Sequence, residues 1–199
     1  MIYISSALGY PFSKFKLSEN DFFKGKVPRR YFEVGNMYRN LEKYVKKENS
    51  NFVILRPGEI YGEFDNFNFN SANSISKYLC YLVLKKKKKI YVNNEFLSKK
   101  SFLYIGDLCK VIFFFVNKKK IYNTSFNISN STSNNLLYII KIINQITKQK
   151  IKKIETEDKL KKYYRILSSQ KISKVLKRKI NPNFKSNIRK IIKFLDKYY

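Results

Sequence analysis

The residues of this sequence that could carry acid–base or nucleophilic chemistry are few. Histidine is absent, which removes imidazole metal ligands, and the two cysteines, Cys80 and Cys109, lie in the apolar contexts YLCYLV and DLCKVIFFF. Both read as buried, reduced thiols rather than a disulfide or metal pair. Hydroxyls and phenols remain. Ser6 sits in the small-residue turn Ser5-Ser6-Ala7-Leu8-Gly9 ahead of Tyr10-Pro11, where a serine can serve either the turn or a reaction. Tyr31 and Tyr38 could exchange protons, although an unassisted phenol titrates at about pH 10 and is a poor base at neutral pH. Glu59, Asn73, Lys100 and Arg165 are scattered polar residues with an ordinary surface reading.

The elements that must position these groups centre on Phe52–Gly62, FVILRPGEIYG. Its apolar, partly β-branched opening has the length of a buried parallel strand, and Pro57-Gly58 then signals a turn. A helix is expected over 31–48, with Val34, Tyr38, Leu41 and Val45 on its apolar side and Glu42 able to pair with Lys46 one turn on. Ile2-Tyr3-Ile4 is a short strand, 12–30 a loop, and 63–74 a polar, asparagine-rich loop. Helices follow at about 74–84, at 107–116 (apolar enough to be buried on most sides), at 134–148 behind a Ser131–Asn134 cap, at 169–177 and at 185–198. Strands fall near 89–93, 101–105, 121–128 and 151–154. Helix, turn, buried strand and glycine turn in that order suit a doubly wound α/β sheet.

Composition bounds the function. With 199 residues, 44% hydrophobic and 17% aromatic, the chain can build a real core. Its net charge of +28 comes from 42 basic residues that are mostly lysine, amid abundant Asn, Ile, Phe and Tyr. That spread reads as a compositional bias and not as a nucleic-acid surface, which would use arginine forks. The Lys85–Lys89 run reads as a solvated helix end. Neither a membrane span nor a signal peptide is visible, so the expected setting is cytoplasmic, with no nucleic-acid or membrane partner.

Taken in order, YISSALGYP, a helix, ILRPGEIYG, SFLYIGDL and FNIS before a capped helix resemble the extended short-chain dehydrogenase/reductase family, the NAD(P)-dependent nucleotide-sugar epimerases and dehydratases. The loop YGEFDNFNFNSANSI is similar to the branch that makes GDP-fucose. The resemblance implies the C-terminal part of a Rossmann-like doubly wound parallel sheet (1–58) plus a small mixed α/β substrate-binding region with returning sheet elements (59–199). It implies Ser6 as the hydroxyl that orients the sugar. It also implies sugar-nucleotide contacts at Glu59 (where Asn is usual), Asn73 (where the fucose branch has histidine), Lys100 (where Arg grips the diphosphate) and Arg165.

Two family features do not map. A tyrosine whose pKa is lowered by a lysine four residues on carries the family's proton transfer. Anchoring on Glu42 puts Val34 and Tyr38 at those positions; starting from Tyr31 puts Gly35 at the lysine, and a gapless register gives Arg30 and Val34. Tyr31 or Tyr38 is left as a substitute. The second feature is the glycine-rich turn that cradles NAD or NADP on a helix N-terminus. The six glycines, Gly9, Gly25, Gly35, Gly58, Gly62 and Gly106, form no such motif. The expected function is therefore that of an epimerase/dehydratase-like chain without its cofactor-binding half, impaired or inactive alone, with a separate chain as the possible supplier of that half. The alternatives are a non-catalytic nucleotide-sugar-binding or partner module and a basic nucleic-acid or membrane-surface protein.

Overall fold

Val53–Pro57, with four of five side chains uncharged, forms strand β2, and all five residues are buried. In the computed structural model, which describes residues 1–49, 51–68, 70–72, 74–87, 89–92, 97–118, 122–149, 152–155 and 164–199, β2 is the middle strand of three. β1 (Ile2–Ile4) and β6 (Thr124–Ile128) flank it, both parallel, with Leu55 level with Ile4 on one side and Phe126 on the other. Parallel neighbours cannot be joined by a tight turn. Helix α1 (Phe32–Glu48) makes the crossover from β1 to β2. The remaining elements are β3 (Glu59–Tyr61), α2 (Ser74–Leu79) running into a π-helical turn at Cys80–Leu84, β4 (Lys89–Val92), β5 (Phe102–Tyr104), α3 (Ile105–Val116), α4 (Leu136–Thr147), β7 (Lys152–Glu155), α5 (Gln170–Leu176) and α6 (Phe184–Tyr198). β3 pairs with β5, and β4 pairs with β7 in parallel.

The chain folds into two units. The first comprises Met1–Ile60, Lys100–Ser133 and Tyr164–Pro182. In it, alternation along β2 assigns the two sheet faces. Val53 and Leu55 join Phe126, Ile128, Leu108, Val111, Phe115 and Ile172 in the core under α3 and α5. Ile54 packs with Val45 and Phe52 on the α1 side, and Arg56 is left 1% exposed. A third cluster, Ala7, Tyr10, Leu17, Phe22 and Leu167, with Tyr38 against it, closes the end of that side. The second unit comprises Tyr61–Lys99, Asn134–Tyr163 and Asn183–Tyr199. There Tyr61 stacks on Phe184 at 5.7 Å between ring centres, and α6 buries Ile188, Ile191 and Leu195 along one stripe.

Several local expectations need correcting. The buried side of α1 is Gly35, Glu42 and Val45, while Val34 and Leu41 are exposed. Glu42 does not pair with Lys46; it is drawn inward by Arg56. Helix α3 buries Leu108, Val111 and Phe115 fully and packs Ile105, Ile112 and Phe114 partly against the same core, but it is open on one side, where Phe113 and Val116 are exposed. Cys109 lies on that exposed side, so only Cys80 is a buried thiol. The cap of α4 is Asn135, whose side chain accepts from the Tyr138 N–H at 3.0 Å, and not Ser131–Asn134. The 12–30 loop contains single 3-10 turns at Glu19–Asp21 and Arg29–Tyr31. The chain does not simply turn after Pro57: Glu59 opens a further strand.

Candidate functional site

A charged residue in a buried strand must be paired or it costs several kcal/mol, on the order of 3–5 when a partner is missing. Arg56 meets that demand with all five of its N–H groups. Nε and Nη2 donate to Glu42 Oε1 and Oε2 at 2.8 and 2.6 Å, a bidentate fork. Nη1 donates to the Tyr10 hydroxyl at 3.0 Å and the Glu19 carbonyl at 2.8 Å, and Nη2 also reaches Ser125 Oγ at 3.3 Å. The guanidinium lies 3.8 Å from the centre of the Phe22 ring. Burial works to lower its pKa, but the Glu42 hydrogen bonds, the Tyr10 oxygen and the Glu42 charge together hold it above the usual arginine value. Tyr10 in turn donates to Asn127 Oδ1 at 2.6 Å, and burial, opposed by Arg56, pushes its phenol well above the ordinary range. Ser5 Oγ donates to Glu42 Oε1 at 2.6 Å. Sequence reasoning passed over this network. Its one local signal is a lone arginine in the otherwise apolar run FVILRP.

The network braces the segments leaving the carboxyl edge of the sheet. Gly58 N–H donates to the Ile128 carbonyl at 2.9 Å and Glu59 N–H to the Ser101 carbonyl at 2.8 Å. Lys100 bridges in parallel to Arg165, and the 13–17 stretch runs beside 164–168 through Ser13 N–H to the Tyr164 carbonyl and Leu17 N–H to the Ile166 carbonyl. Four neighbouring segments thus gather three of the expected ligand contacts. Lys100 Nζ is 3.1 Å from Glu59 Oε2. Arg165, 8% exposed, lies 4.8 Å from the centre of the Tyr31 ring, which meets Phe12 edge-on. Glu59 Oε1, Arg165 Nη1 and both side-chain atoms of Asn130 are buried without a hydrogen-bond partner. Native proteins leave few buried polar groups unsatisfied, so such a cluster is fitted to receive a ligand or water. Its donors (Arg165, Asn130) and acceptors (Glu59, Asn130) match a molecule bearing both anionic oxygens and hydroxyls.

The other expected residues are placed differently. Ser6 follows β1 and its oxygen accepts from the Leu8 N–H at 3.2 Å, capping the 3-10 turn Ala7–Gly9. Val34, at the position of the family's tyrosine, is 45% exposed and apolar. Tyr38, at the lysine position, packs against the Tyr10–Phe22 cluster. Neither supplies the cation that lowers a phenol's pKa. Asn73 lies outside the described residues.

A dinucleotide cradle needs a helix opening on glycines that let a phosphate approach the backbone. Among the described residues the glycine nearest a helix start is Gly106 in α3, where an added Cβ would meet the Tyr104 ring at 2.6 Å. It is small for a side chain and not for a phosphate. The residues present therefore do not fit a pyrophosphate cradle. Among them no group of three or more His, Cys, Asp or Glu is placed to hold a metal, and no helix is long and apolar enough to cross a membrane.

The model of the NAD dependent epimerase/dehydratase family matches residues 3–129. The fold is shared with UDP-N-acetylglucosamine 4-epimerase from Methanobrevibacter ruminantium M1, solved with UDP-N-acetylmuramic acid (TM-score 0.79, 18% identity, all of this chain and 63% of that one). It is shared too with UDP-glucuronic acid 4-epimerase from Bacillus cereus, solved with UDP-glucuronic acid and NAD (0.79, 19%, all of this chain and 62% of that one). A third is dTDP-glucose 4,6-dehydratase from Bacillus anthracis str. Ames, solved with NAD (0.75, 13%, 99% and 61%). The chain thus spans less than two thirds of the length of each. No curated protein matches by sequence.

Proposed function

This chain belongs to the NAD dependent epimerase/dehydratase family, and from that premise we propose that its carboxyl-edge cluster is the nucleotide-sugar-binding surface of an epimerase or dehydratase. The observation that carries the reading is the buried, unpartnered set of Arg165 Nη1, Glu59 Oε1 and the Asn130 amide on adjoining segments. Arg165 would bind an anionic oxygen of the diphosphate, held in place by the Tyr31 ring beneath it. Glu59 Oε1 would accept a hydroxyl, while its Oε2 is anchored by Lys100. Lysine serves here as a point charge and leaves the forked contact to Arg165. Ser6 would present its hydroxyl proton at the end of β1.

NAD or NADP, when bound, exchanges hydride with the sugar. The glycine-rich turn for it is not in this sequence, so residues beyond these 199, in this chain or a separate one, would hold it. No proton-transfer step is assigned to Tyr31 or Tyr38. The apolar Val34 and the core-packed Tyr38 favour a second reading, a nucleotide-sugar-binding module without redox chemistry. The two unpaired thiols suit a reducing compartment such as the cytoplasm.

Calorimetric titration with a UDP-hexose and a GDP-hexose tests the site and separates the GDP-fucose-like branch from the others. Arg165→Ala and Glu59→Gln should each weaken binding by about tenfold or more. Wild-type affinity in both variants would overturn the proposal. Titration with NAD(P)H, followed by cofactor fluorescence, separates the two readings: sugar-nucleotide turnover on adding a cofactor-binding chain supports the enzyme, and binding with no such dependence supports the module.

A further inference from the structure

On the α1 side of the same sheet, a hollow of about 570 Å³ opens beside the starts of β2 and β6 and reaches Arg56 and Ser125 of the network described above. Phe23 and Phe52 give it apolar walls, and Asn20, Asn123 and Thr124 give it hydrogen-bonding ones. Two ammonium groups enter it, Lys46 from the last turn of α1 and Lys171 from the first turn of α5, with the Arg56 guanidinium behind them. Lys171 Nζ donates to Thr124 Oγ1 and to the Ser125 carbonyl at 2.9 Å, which leaves its third N–H for another acceptor. Lys46 Nζ sits 4.9 Å from the centre of the Phe23 ring and makes no ion pair among the described residues.

Two carboxylates stand nearby, and one of them, Glu19, is itself part of the lining. Both oxygens of Glu42 are taken by Arg56, and Glu19 Oε1 accepts from the Asn127 N–H at 2.8 Å. Three cations therefore face two carboxylates, and the surplus charge is positive. Burial is the main force lowering the pKa of Lys46, with Arg56 and Lys171 adding to it and Glu42 opposing. The same burial lowers Lys171, with Glu19 opposing and Arg56 adding. Lys46 and Lys171 are both solvent-exposed, so water screens much of their repulsion, and the surplus positive charge favours an anion between them without requiring one.

We propose that this hollow is a second ligand site, which takes a phosphate or phosphate ester between Lys46 and Lys171. A phosphate offers enough oxygens to engage both ammonium groups and the Asn20, Asn123 and Thr124 side chains together. The volume lies within the range of about 300–1,000 Å³ seen for small-molecule sites and exceeds what a bare ion fills. The phenyl walls suit the organic part of an ester. This site shares no residue with the Glu59–Arg165 cluster, so it stands or falls apart from the function proposed above.

The test is an amide NMR titration of the intact protein with inorganic phosphate and, in parallel, glucose 6-phosphate, at high enough salt to screen general attraction to a chain of charge +28. Saturable shifts confined to Asn20, Phe52, Asn123, Thr124, Ser125 and Lys171 are expected, with Lys46→Gln/Lys171→Gln weakening binding by about tenfold or more. The exposed pair Lys85→Gln/Lys86→Gln should leave it unchanged. Tighter binding of the sugar phosphate identifies an ester site, and equal binding identifies a phosphate site. Shifts spread over the surface, equal losses in both lysine pairs, or no saturation in the wild type would overturn the proposal. Because the shift map is read on the wild type, the result does not depend on how the variants fold.

Discussion

Glu42→Gln is the substitution whose consequence the structure predicts most sharply. Gln keeps the volume of Glu, so no cavity term enters. What changes is charge and one hydrogen-bonding atom. Glu42 now accepts from Ser5 Oγ, Arg56 Nε and Arg56 Nη2. In the variant an amide NH₂ must face one of the two guanidinium N–H groups, donor against donor, and a guanidinium that is 1% exposed loses the carboxylate that neutralises it. Breaking a buried pair from one side costs about 3–5 kcal/mol, a large share of the roughly 5–15 kcal/mol that keeps a domain folded. With a urea dependence of about 2 kcal/mol per molar, the midpoint should fall by about 2 M. Far-UV circular dichroism through a urea series reads it, there being no tryptophan to follow.

The double variant Glu42→Met/Arg56→Leu removes both charges and should recover most of that loss. Tyr10 keeps its bond to Asn127, and apolar replacement of a whole buried pair is often neutral or better. A single variant that loses less than about 1 kcal/mol, or a double variant less stable than the single, would refute the claim that the pair is a mutual dependency formed by burial.

Gly58→Ala would set its new carbon 2.3 Å from the Ser101 carbonyl oxygen, which is backbone and cannot swing aside. The Glu59–Ser101 contact should open, with a loss of about 1–3 kcal/mol in thermal or urea unfolding and weaker nucleotide-sugar binding because Glu59 moves. Asp21 accepts from both the Ser18 hydroxyl (2.6 Å) and the Ser18 N–H (2.8 Å), and these bonds, the hydroxyl's first, lower its pKa below 3.8. A lowered carboxyl pKa stabilises the fold above the unfolded value and stops doing so as pH falls through the folded one. Asp21→Asn should therefore be less stable than wild type at neutral pH, with the gap closing only below pH 3.8; a gap that persists unchanged at lower pH would show the charge to be irrelevant.

What the order of residues could settle was whatever depends on neighbours in the chain. The apolar stretch FVIL had to be a covered strand, and β2 is buried at every residue. The isoleucine stripe of α4 and the Ile188–Ile191–Leu195 stripe of α6 face a core because a helix repeats its faces every three to four residues. The parallel α/β arrangement followed from helix and strand alternating.

Tertiary structure alone decided which polar groups meet. From sequence, Glu42 has Lys46 one turn away; in space it has Arg56, because the α1 crossover folds residue 42 back over the face of β2 on which Arg56 points. Tyr10 and Asn127 bond across 117 positions, and Glu59, Lys100 and Arg165 come from three separate stretches joined by strand pairing and the Lys100–Glu59 ion pair. Composition likewise could not say that α3 keeps Phe113, Val116 and Cys109 outside: hydrophobicity measures what a residue gains by burial, whereas the helix's position against the sheet determines which face receives it.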